Sequence, residues 1–335
     1  MPSEYATRGL PPAPAVSMHT MHMVGFLVDV YGLDELPASG PVTCLWLLHP
    51  RTRDRSIMKD IASRAVAAWN ASPGGQRRQR GLVALAADMP NHGTRLVQDM
   101  ANQDWLKGNK THAIDMVGIV QGGVTNTASL MDLVSGYLQR QVDAHISLGW
   151  SLGGHMAWQQ WIGEDRIDAS VSIVGCPDMM GLLSSRAAYS NMNYDPKTFL
   201  GGTHFPNDVV NNCLAHDPKG ILFGVQAVPQ APLSKQDQDR LRPILESRVQ
   251  GKRLLLCFGS EDKLVPPANS MPLLAVLKDA ATGWYDGGKG GITVIDKVYE
   301  GVGHAFSKDM VTDSVEFIVD AVARGPRTTQ HKARF

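Results

Sequence analysis

The stretch that decides the fold is Ala144-His-Ile-Ser-Leu148-Gly149-Trp150-Ser151-Leu152-Gly153-Gly154. An apolar strand pattern over 144–148 leads directly into Gly149-x-Ser151-x-Gly153, and a helical pattern continues through Trp161. The two glycines remove Cβ atoms that would clash in a sharp strand-to-helix turn. Such a turn projects the serine hydroxyl, which is a poor nucleophile without a base and a stabilised transition state. We therefore predict that Ser151 is a nucleophile; the alternative is a glycine-rich turn with a surface serine.

Short apolar runs alternate with helical periodicity on both sides of this stretch. The predicted strands cover 42–48, 81–87, 144–148, 169–175, 253–258 and 292–299. The predicted helices lie around 57–69, 127–140, 152–161, 267–281 and 310–323. This alternation favours a mostly parallel sheet with helices on both faces.

An acidic partner for the serine is predicted on the turn that leaves the strand at 253–258. Asp262 lies there, and a carboxylate on such a turn can accept a hydrogen bond from an imidazole and fix its tautomer. Asp178, after the strand at 169–175, is the second choice of acid. The alternative for Asp262 is a turn or cap residue ahead of Pro266.

A histidine completes the pattern. His304 lies on a glycine-flanked loop after the last predicted strand, where an isolated histidine would usually be a surface or core residue. The order Ser151, Asp262, His304 is, however, the chain order of a nucleophile-elbow hydrolase. Each residue also follows the end of a strand, at the edge where open α/β sheets place their sites. The sequence therefore predicts a Ser-His-Asp triad.

On these residues the sequence resembles the α/β-hydrolase superfamily, over about residues 25–323. The motif Asn91-His92-Gly93-Thr94-Arg95 is similar to one found in the dienelactone-hydrolase and oligopeptidase-like branches of that superfamily. The dienelactone members use a cysteine nucleophile, and Ser151 departs from that pattern. The resemblance implies an α/β-hydrolase fold: a mostly parallel central sheet with helices on both faces and an inserted cap.

The resemblance also implies an oxyanion hole. Leu47-Leu-His49-Pro50-Arg51 looks like the oxyanion loop of the family, with Pro50 in place of the usual glycine. Proline has no N–H, so the implied donors are the backbone N–H groups of Arg51 and Leu152. The implied mechanism is acyl transfer, in which His304 takes the Ser151 proton and water then hydrolyses the acyl-enzyme. No metal or cofactor is expected.

Three side chains are predicted to contact the substrate. Trp150 and Met179 would line an apolar acyl pocket, unless they belong to a small core of their own. Arg95 would bind a substrate carboxylate. The same function is possible for three arginines of the oxyanion loop, Arg51, Arg53 and Arg55. The alternative is that these arginines are structural or solvated.

The chain is expected to divide into one hydrolase core with additions. Residues 182–249 are rich in Asn, Asp, Pro and Gln, show no sustained strand period and are too long for a plain loop. The predicted parts are a flexible N-terminal arm over 1–22, a core over 23–181 and 250–324, a cap or lid over 182–249 and a flexible tail over 325–335.

Composition limits the remaining possibilities. The 335 residues carry 32 Lys+Arg and 32 Asp+Glu, so the net charge of zero argues against electrostatic capture of nucleic acid or acidic lipid. No apolar run of about 18 residues is present, so no membrane span is expected. Four widely spaced cysteines without a CxxC pair indicate a reduced, cytoplasmic protein rather than a disulfide scaffold. No zinc motif is present.

The sequence therefore predicts a cytoplasmic serine hydrolase that cleaves a carboxylic ester, a lactone or a thioester of a small acyl substrate. An oligopeptidase-like amidase is the alternative within enzymes. A non-hydrolytic binder on the same fold is the alternative outside them, because a fold does not fix a function. A nucleotide-binding enzyme is excluded by the lack of a GxGxxG motif or P-loop. The oligomeric state is not predicted.

Overall fold

The computed structural model describes residues 9–190, 192–285 and 290–327. Their centre is one eight-stranded sheet of order β1-β2-β4-β3-β5-β6-β7-β8. The pairs β1–β2 and β2–β4 are antiparallel, and all other pairs are parallel. The strands are β1 (Met18–Met23), β2 (Phe26–Tyr31), β3 (Val42–Leu48), β4 (Gly81–Ala87), β5 (Val142–Trp150), β6 (Ile167–Ile173), β7 (Arg253–Gly259) and β8 (Thr293–Tyr299).

Helices fill the connections between the strands. They are α1 (Lys59–Ala71), α2 (Pro73–Gln76), α3 (His112–Leu138), α4 (Leu152–Gly163), α5 (Met179–Tyr189), α6 (Asn207–His216), α7 (Pro218–Phe223), α8 (Lys235–Val249), α9 (Met271–Asp279) and α10 (Lys308–Arg324). Short 3-10 turns precede α1 and α9, and three more lie between β4 and α3. Over the ranges that the structure describes, none of these helices is long and apolar enough to cross a membrane.

The helices cover both faces of the sheet, as predicted. Leu255 and Cys257 of β7 pack in the cluster that contains α1 and α10, whereas Leu254 and Leu256 pack with α4, α8 and α9. Since successive side chains of a strand point to opposite faces, a strand covered twice must be apolar throughout. This is why β3, β4 and β7 are nearly continuous apolar runs in the sequence.

The predicted arm over 1–22 differs from the structure at its C-terminal end. Met18–Met23 forms β1, an edge strand that pairs with β2 from Met18 opposite Tyr31 to Met23 opposite Phe26. Most β1 side chains are exposed, so the strand depends on backbone hydrogen bonds and carries no apolar pattern that a sequence analysis could detect. Residues 1–8 of the predicted arm lie outside the described residues.

The predicted cap over 182–249 is helical, and its last helix belongs to the main body. Leu241, Leu245 and Val249 of α8 pack with Trp158 of α4 and Leu254 of β7, so α8 is part of a layer on the sheet. The helices from Met179 to Phe223 interrupt the alternation of strands and helices. α5 and α6 share a core with α3, and α7 packs with α4 and α8, so this part is a packed extension rather than a separate lobe.

The predicted tail over 325–335 also begins later than expected. The backbone N–H and Nε of Arg327 both donate to Asp168 Oδ1, at 3.0 and 3.2 Å, and its Nη1 donates to the Gln250 carbonyl at 2.8 Å. These bonds anchor residue 327 beside the start of β6. The remainder of the predicted tail, 328–335, falls outside the described part of the chain.

Candidate active site

The strand-to-helix turn at Ser151 is strained, and only glycine fits at the positions two residues before and two residues after this serine. Ser151 has φ 56° and ψ −112°, a conformation that L-residues rarely adopt. A Cβ on Gly149 would lie 1.8 Å from the Gly153 carbonyl oxygen, and one on Gly153 would lie 2.0 Å from that of Leu48. The Ser151 N–H donates to the Ile173 carbonyl at 2.9 Å, which ties the turn to β6. The turn therefore holds the hydroxyl above the carboxyl edge of the sheet.

Three predicted residues come together at this edge. Ser151 Oγ lies 2.7 Å from His304 Nε2, and His304 Nδ1 lies 2.7 Å from Asp262 Oδ2. An ionised carboxylate can only accept, so the ring proton is on Nδ1 and Nε2 is left to accept from the serine hydroxyl. This is the arrangement that a general base needs before it removes the proton of a nucleophile.

The carboxylate of Asp262 is fixed by the main chain of its own turn. Its side chain is 1% exposed, and Oδ1 accepts 2.9 Å hydrogen bonds from the N–H groups of Leu264 and Val265. Oδ2 is thereby directed at the imidazole. Asp178, the second choice of acid, instead caps α5, where its Oδ1 accepts from the Gly181 N–H at 2.8 Å.

Main-chain hydrogen bonds also join the acid turn to the histidine loop. The Ser260 N–H donates to the Tyr299 carbonyl at 3.0 Å, and the Glu261 N–H donates to the Val302 carbonyl at 2.9 Å. Two loops that are about forty residues apart in sequence are therefore held in one register. The 2.7 Å contact between His304 and Asp262 depends on this register.

The loop after β3 is held by a buried histidine. His49 Nδ1 donates to the Pro50 carbonyl at 2.9 Å, and its Nε2 accepts from the Met89 N–H at 3.0 Å. Burial lowers the pKa of His49 to about 4, so the ring is neutral at pH 7 and able to accept. The loop that leads to Arg51 is thus fixed against the turn after β4.

Leu152 begins α4, so its N–H is one of the four without an intrahelical acceptor. Oxyanion binding by the N–H groups of Arg51 and Leu152 stays a prediction.

The three predicted substrate contacts lie in packed surroundings rather than at an open surface. Trp150 is 5% exposed because it belongs to a strand covered on both faces, and its ring meets Phe306 edge to face at 5.9 Å. Met179 is fully buried at the start of α5. Arg95 lies over the Phe26 ring at 4.6 Å and donates from Nη1 to the Asp88 carbonyl at 3.0 Å. Contact of these three side chains with a substrate stays a prediction.

The three arginines of the loop after β3 differ in their surroundings. Arg55 is structural, since its Nε lies 3.0 Å from Asp29 Oδ2 and its Nη1 lies 2.6 Å from Asp88 Oδ2. Arg53 is half-buried and donates to the Thr52 carbonyl. Arg51 is different, because its Nη1 is buried and has no hydrogen-bond partner among the described residues.

A cavity that sequence reasoning did not predict lies beside the acid turn. Its volume is about 220 Å³, and its lining includes Arg51, Asp104, Arg186, Lys263 and Leu264. Arg186 belongs to α5, in the segment that was predicted only as a cap. The available signal was a single arginine in the otherwise uncharged helix MMGLLSSRAAY, but nothing local relates it to residue 51.

Across 9–190, 192–285 and 290–327, no group of three or more His, Cys, Asp or Glu side chains is arranged to hold a metal ion. The four cysteines are buried and free.

Solved structures share this architecture. No known family model matches the chain, and no curated protein matches it in sequence. The protein TT1662 from Thermus thermophilus is similar over 92% of this chain and 99% of its own, at 16% identity and a TM-score of 0.58. An S-formylglutathione hydrolase from Agrobacterium tumefaciens is similar over 91% of this chain and 94% of its own, at 13% identity and a TM-score of 0.51. A solved arylesterase is similar over 95% and 88%, at 11% identity and a TM-score of 0.51.

At these identities the likeness defines the fold. The chain has the α/β-hydrolase fold, as its eight-stranded, mostly parallel sheet with flanking helices also shows. The fold class predicted from the sequence is confirmed.

Proposed function

We propose that the protein is a serine hydrolase that cleaves a carboxylic ester, a lactone or a thioester. The observation that supports this most directly is the continuous relay from Asp262 through His304 to Ser151, with both heavy-atom distances at 2.7 Å. A structural role for these side chains would not need a histidine between a fixed carboxylate and a serine in a strained turn.

The proposed reaction begins when Ser151 Oγ attacks the substrate carbonyl carbon and His304 Nε2 takes the hydroxyl proton. The carbonyl π electrons move to oxygen, and the N–H groups of Leu152 and Arg51 bind this oxyanion, each contributing about 3–4 kcal/mol. When the bond to the leaving group breaks, His304 returns the proton to that group. Water then attacks the acyl-enzyme with His304 as base, which releases the acid and frees Ser151.

Two of the similar structures bear on the substrate class. One is named as an S-formylglutathione hydrolase and another as an arylesterase. Those names make a thioester and an aryl ester the first compounds to test on this chain. The free, buried cysteines fit the predicted reducing cytoplasm, which we include in the proposal.

The first test is covalent labelling by a fluorophosphonate probe. The wild-type protein should be labelled, and Ser151→Ala should lose the label completely because the attacking oxygen is gone. Ser129→Ala, on α3, is the matched control and should be labelled like the wild type.

Short- and long-chain nitrophenyl esters, a thioester and an amide then rank the substrate classes by kcat/KM. Preferential cleavage of the amide would favour the amidase alternative. A folded wild-type protein that is neither labelled nor active on any of these compounds would contradict the proposal and favour a non-hydrolytic binder.

A further inference from the structure

Two guanidinium groups share the cavity beside the acid turn with donors to spare. Arg51 Nη1 is buried and makes no hydrogen bond within the described ranges. Arg186 donates from Nη1 to His112 Nε2 at 2.9 Å and from Nη2 to the Leu264 carbonyl at 3.2 Å. A guanidinium has five N–H donors, and Asp104 is the carboxylate whose charge acts most strongly on both arginines.

The cavity has an excess of positive charge. Arg51, Arg186 and Lys263 line it, and Asp104 is the one carboxylate among its lining residues in the described part of the chain. Burial and the nearby charge of Arg51 lower the pKa of Arg186 to about 10, which leaves it charged at pH 7 but poorly compensated. An anion between the two guanidiniums would supply the missing charge and accept the free N–H groups.

His112, which faces this pair, does not provide that anion or add a further charge. Its Nε2 accepts from Arg186, so the ring is neutral, and burial with the charges of Arg186 and Arg51 lowers its pKa to about 3. The ring packs edge to face on Trp105 at 4.8 Å. It is one of the hydrogen-bond partners that position Arg186.

The cavity is lined by neighbours of the proposed catalytic residues. Lys263 and Leu264 directly follow Asp262, and Arg51 is the residue whose backbone N–H is proposed for the oxyanion hole. Its rim is apolar: Leu106, Tyr189 and Leu264 are 61%, 84% and 55% exposed. A ligand with a charged end and an apolar body fits this combination of charged wall and apolar rim.

Resting on the proposed hydrolase function, we propose that the substrate is an ester or thioester that carries a second, anionic group, a carboxylate or a phosphate. That group binds between Arg51 and Arg186, and its apolar linker lies on Leu106, Tyr189 and Leu264. The two arginines therefore determine specificity for acidic acyl compounds.

The test compares esters that differ in charge and little in shape. Nitrophenyl hydrogen glutarate is compared with its neutral methyl ester, and with a phosphonate-ended chain of equal length. Carboxyphenyl acetate and phenyl acetate form a second pair, with the charge on the leaving group. For at least one pair, kcat/KM should favour the anionic ester by about 10- to 100-fold, as expected for charge-assisted hydrogen bonds. The better of the carboxylate and the phosphonate identifies the group.

The decisive variant is Arg186→Gln. It should reduce the ratio of anionic to neutral kcat/KM to near 1, whereas Arg186→Lys, which keeps the charge but not the fork, should retain part of it. Arg77→Gln is the matched control, because Arg77 is an exposed arginine at the C-terminal end of the short helix α2. This variant should keep the wild-type ratio.

Two failures are distinguishable. If Ser151 is labelled by fluorophosphonate but charge does not affect kcat/KM in either pair, the anion site is wrong and the hydrolase stands. If Ser151 is not labelled, the proposed function fails, and calorimetric titration with glutarate and with inorganic phosphate decides the anion site. Binding that Arg186→Gln abolishes would support it, and no binding to wild type would overturn it.

Discussion

At the residue scale, Asp262 has two oxygens with different tasks. Oδ1 accepts hydrogen bonds from the N–H groups of Leu264 and Val265, and Oδ2 accepts one from His304 Nδ1. Because the turn fixes the first oxygen, the second has little freedom to rotate away. The orientation of the histidine ring is therefore set by backbone geometry two residues beyond the acid.

This arrangement predicts the effect of Asp262→Asn. The amide oxygen can replace Oδ1 on the turn, so the fold is retained, but the amide nitrogen would then donate to His304 Nδ1. The ring proton moves to Nε2, and the histidine can no longer accept from Ser151. We expect kcat on the best ester to fall by about 10³- to 10⁴-fold, with little change in the free energy of unfolding.

The matched control for that variant is Asp178→Asn. Asn also caps helices well, so α5 should be preserved and kcat should stay near the wild-type value. A large loss of activity in Asp178→Asn, with Asp262→Asn active, would transfer the acid role to the residue that the sequence offered as second choice.

Residues of the triad and residues of the cavity differ in how far the sequence reveals them. Ser151, Asp262 and His304 each follow a predicted strand and occur in the chain order of a nucleophile-elbow hydrolase, so their convergence could be predicted from the sequence. Arg51, on the loop after β3, and Arg186, on α5, line one cavity only in the tertiary structure, which no local pattern encodes. The structure buries Trp150 and Met179, and because tertiary packing decides whether an apolar side chain lines a pocket or a core, their contact with a substrate stays a prediction.

At the element scale, the turn between β5 and α4 depends on the absence of two Cβ atoms. Gly153→Ala would place a methyl group 2.0 Å from the Leu48 carbonyl, which belongs to a central strand and has no room to move. We expect a loss of at least about 2–3 kcal/mol in the free energy of unfolding. Fluorophosphonate labelling should also fail, because the turn that presents Ser151 must shift.

Gly163→Ala, at the other end of the same helix, is the control. Nothing lies within 4 Å of the added Cβ, so stability should be unchanged or slightly higher. Equal stability of both variants in urea titration, with labelling intact in Gly153→Ala, would mean that the turn is not close-packed.

The elements also show where sequence patterns stop being informative. β3 was predicted to its bounds because every residue from Val42 to Leu48 is buried. α3 was predicted only from residue 127, although it begins at His112. Its first half contains glycines, and Gly123 lies so close to Met156 of α4 that a Cβ would come within 2.5 Å. Helix–helix packing stabilises that half where intrinsic propensity does not.

At the scale of the whole molecule, three buried histidines make stability depend on pH. Burial lowers the pKa values of His49 and His155 to about 4, and burial with nearby arginines lowers that of His112 to about 3. An unfolded histidine has a pKa near 6.5. Between about pH 6.5 and 4 the unfolded chain therefore binds protons that the folded protein does not, and stability falls as the pH is lowered.

The magnitude is testable with His112→Gln. Each histidine should lower the free energy of unfolding by about 1–2 kcal/mol between pH 7 and pH 5. The glutamine variant should lose less stability than the wild type over this interval, by about that amount, in urea titrations at the two pH values.

His22→Gln serves as the control, because it removes a histidine that is exposed on the edge strand β1 rather than one that is buried. An identical pH dependence in His112→Gln and the wild type would show that His112 is not held neutral in the folded protein.

The acid turn has one further consequence, for how new selectivity could arise on this scaffold. The backbone N–H groups of Leu264 and Val265 hold the Asp262 carboxylate by hydrogen bonds, while the side chains of Lys263 and Leu264 line the neighbouring cavity. Every residue except proline has a backbone N–H, so the side chains at positions 263 and 264 can be substituted while the hydrogen bonds to Asp262 are retained. Substitutions at positions 263 and 264, natural or engineered, can thus change the lining of the cavity and leave the triad geometry in place.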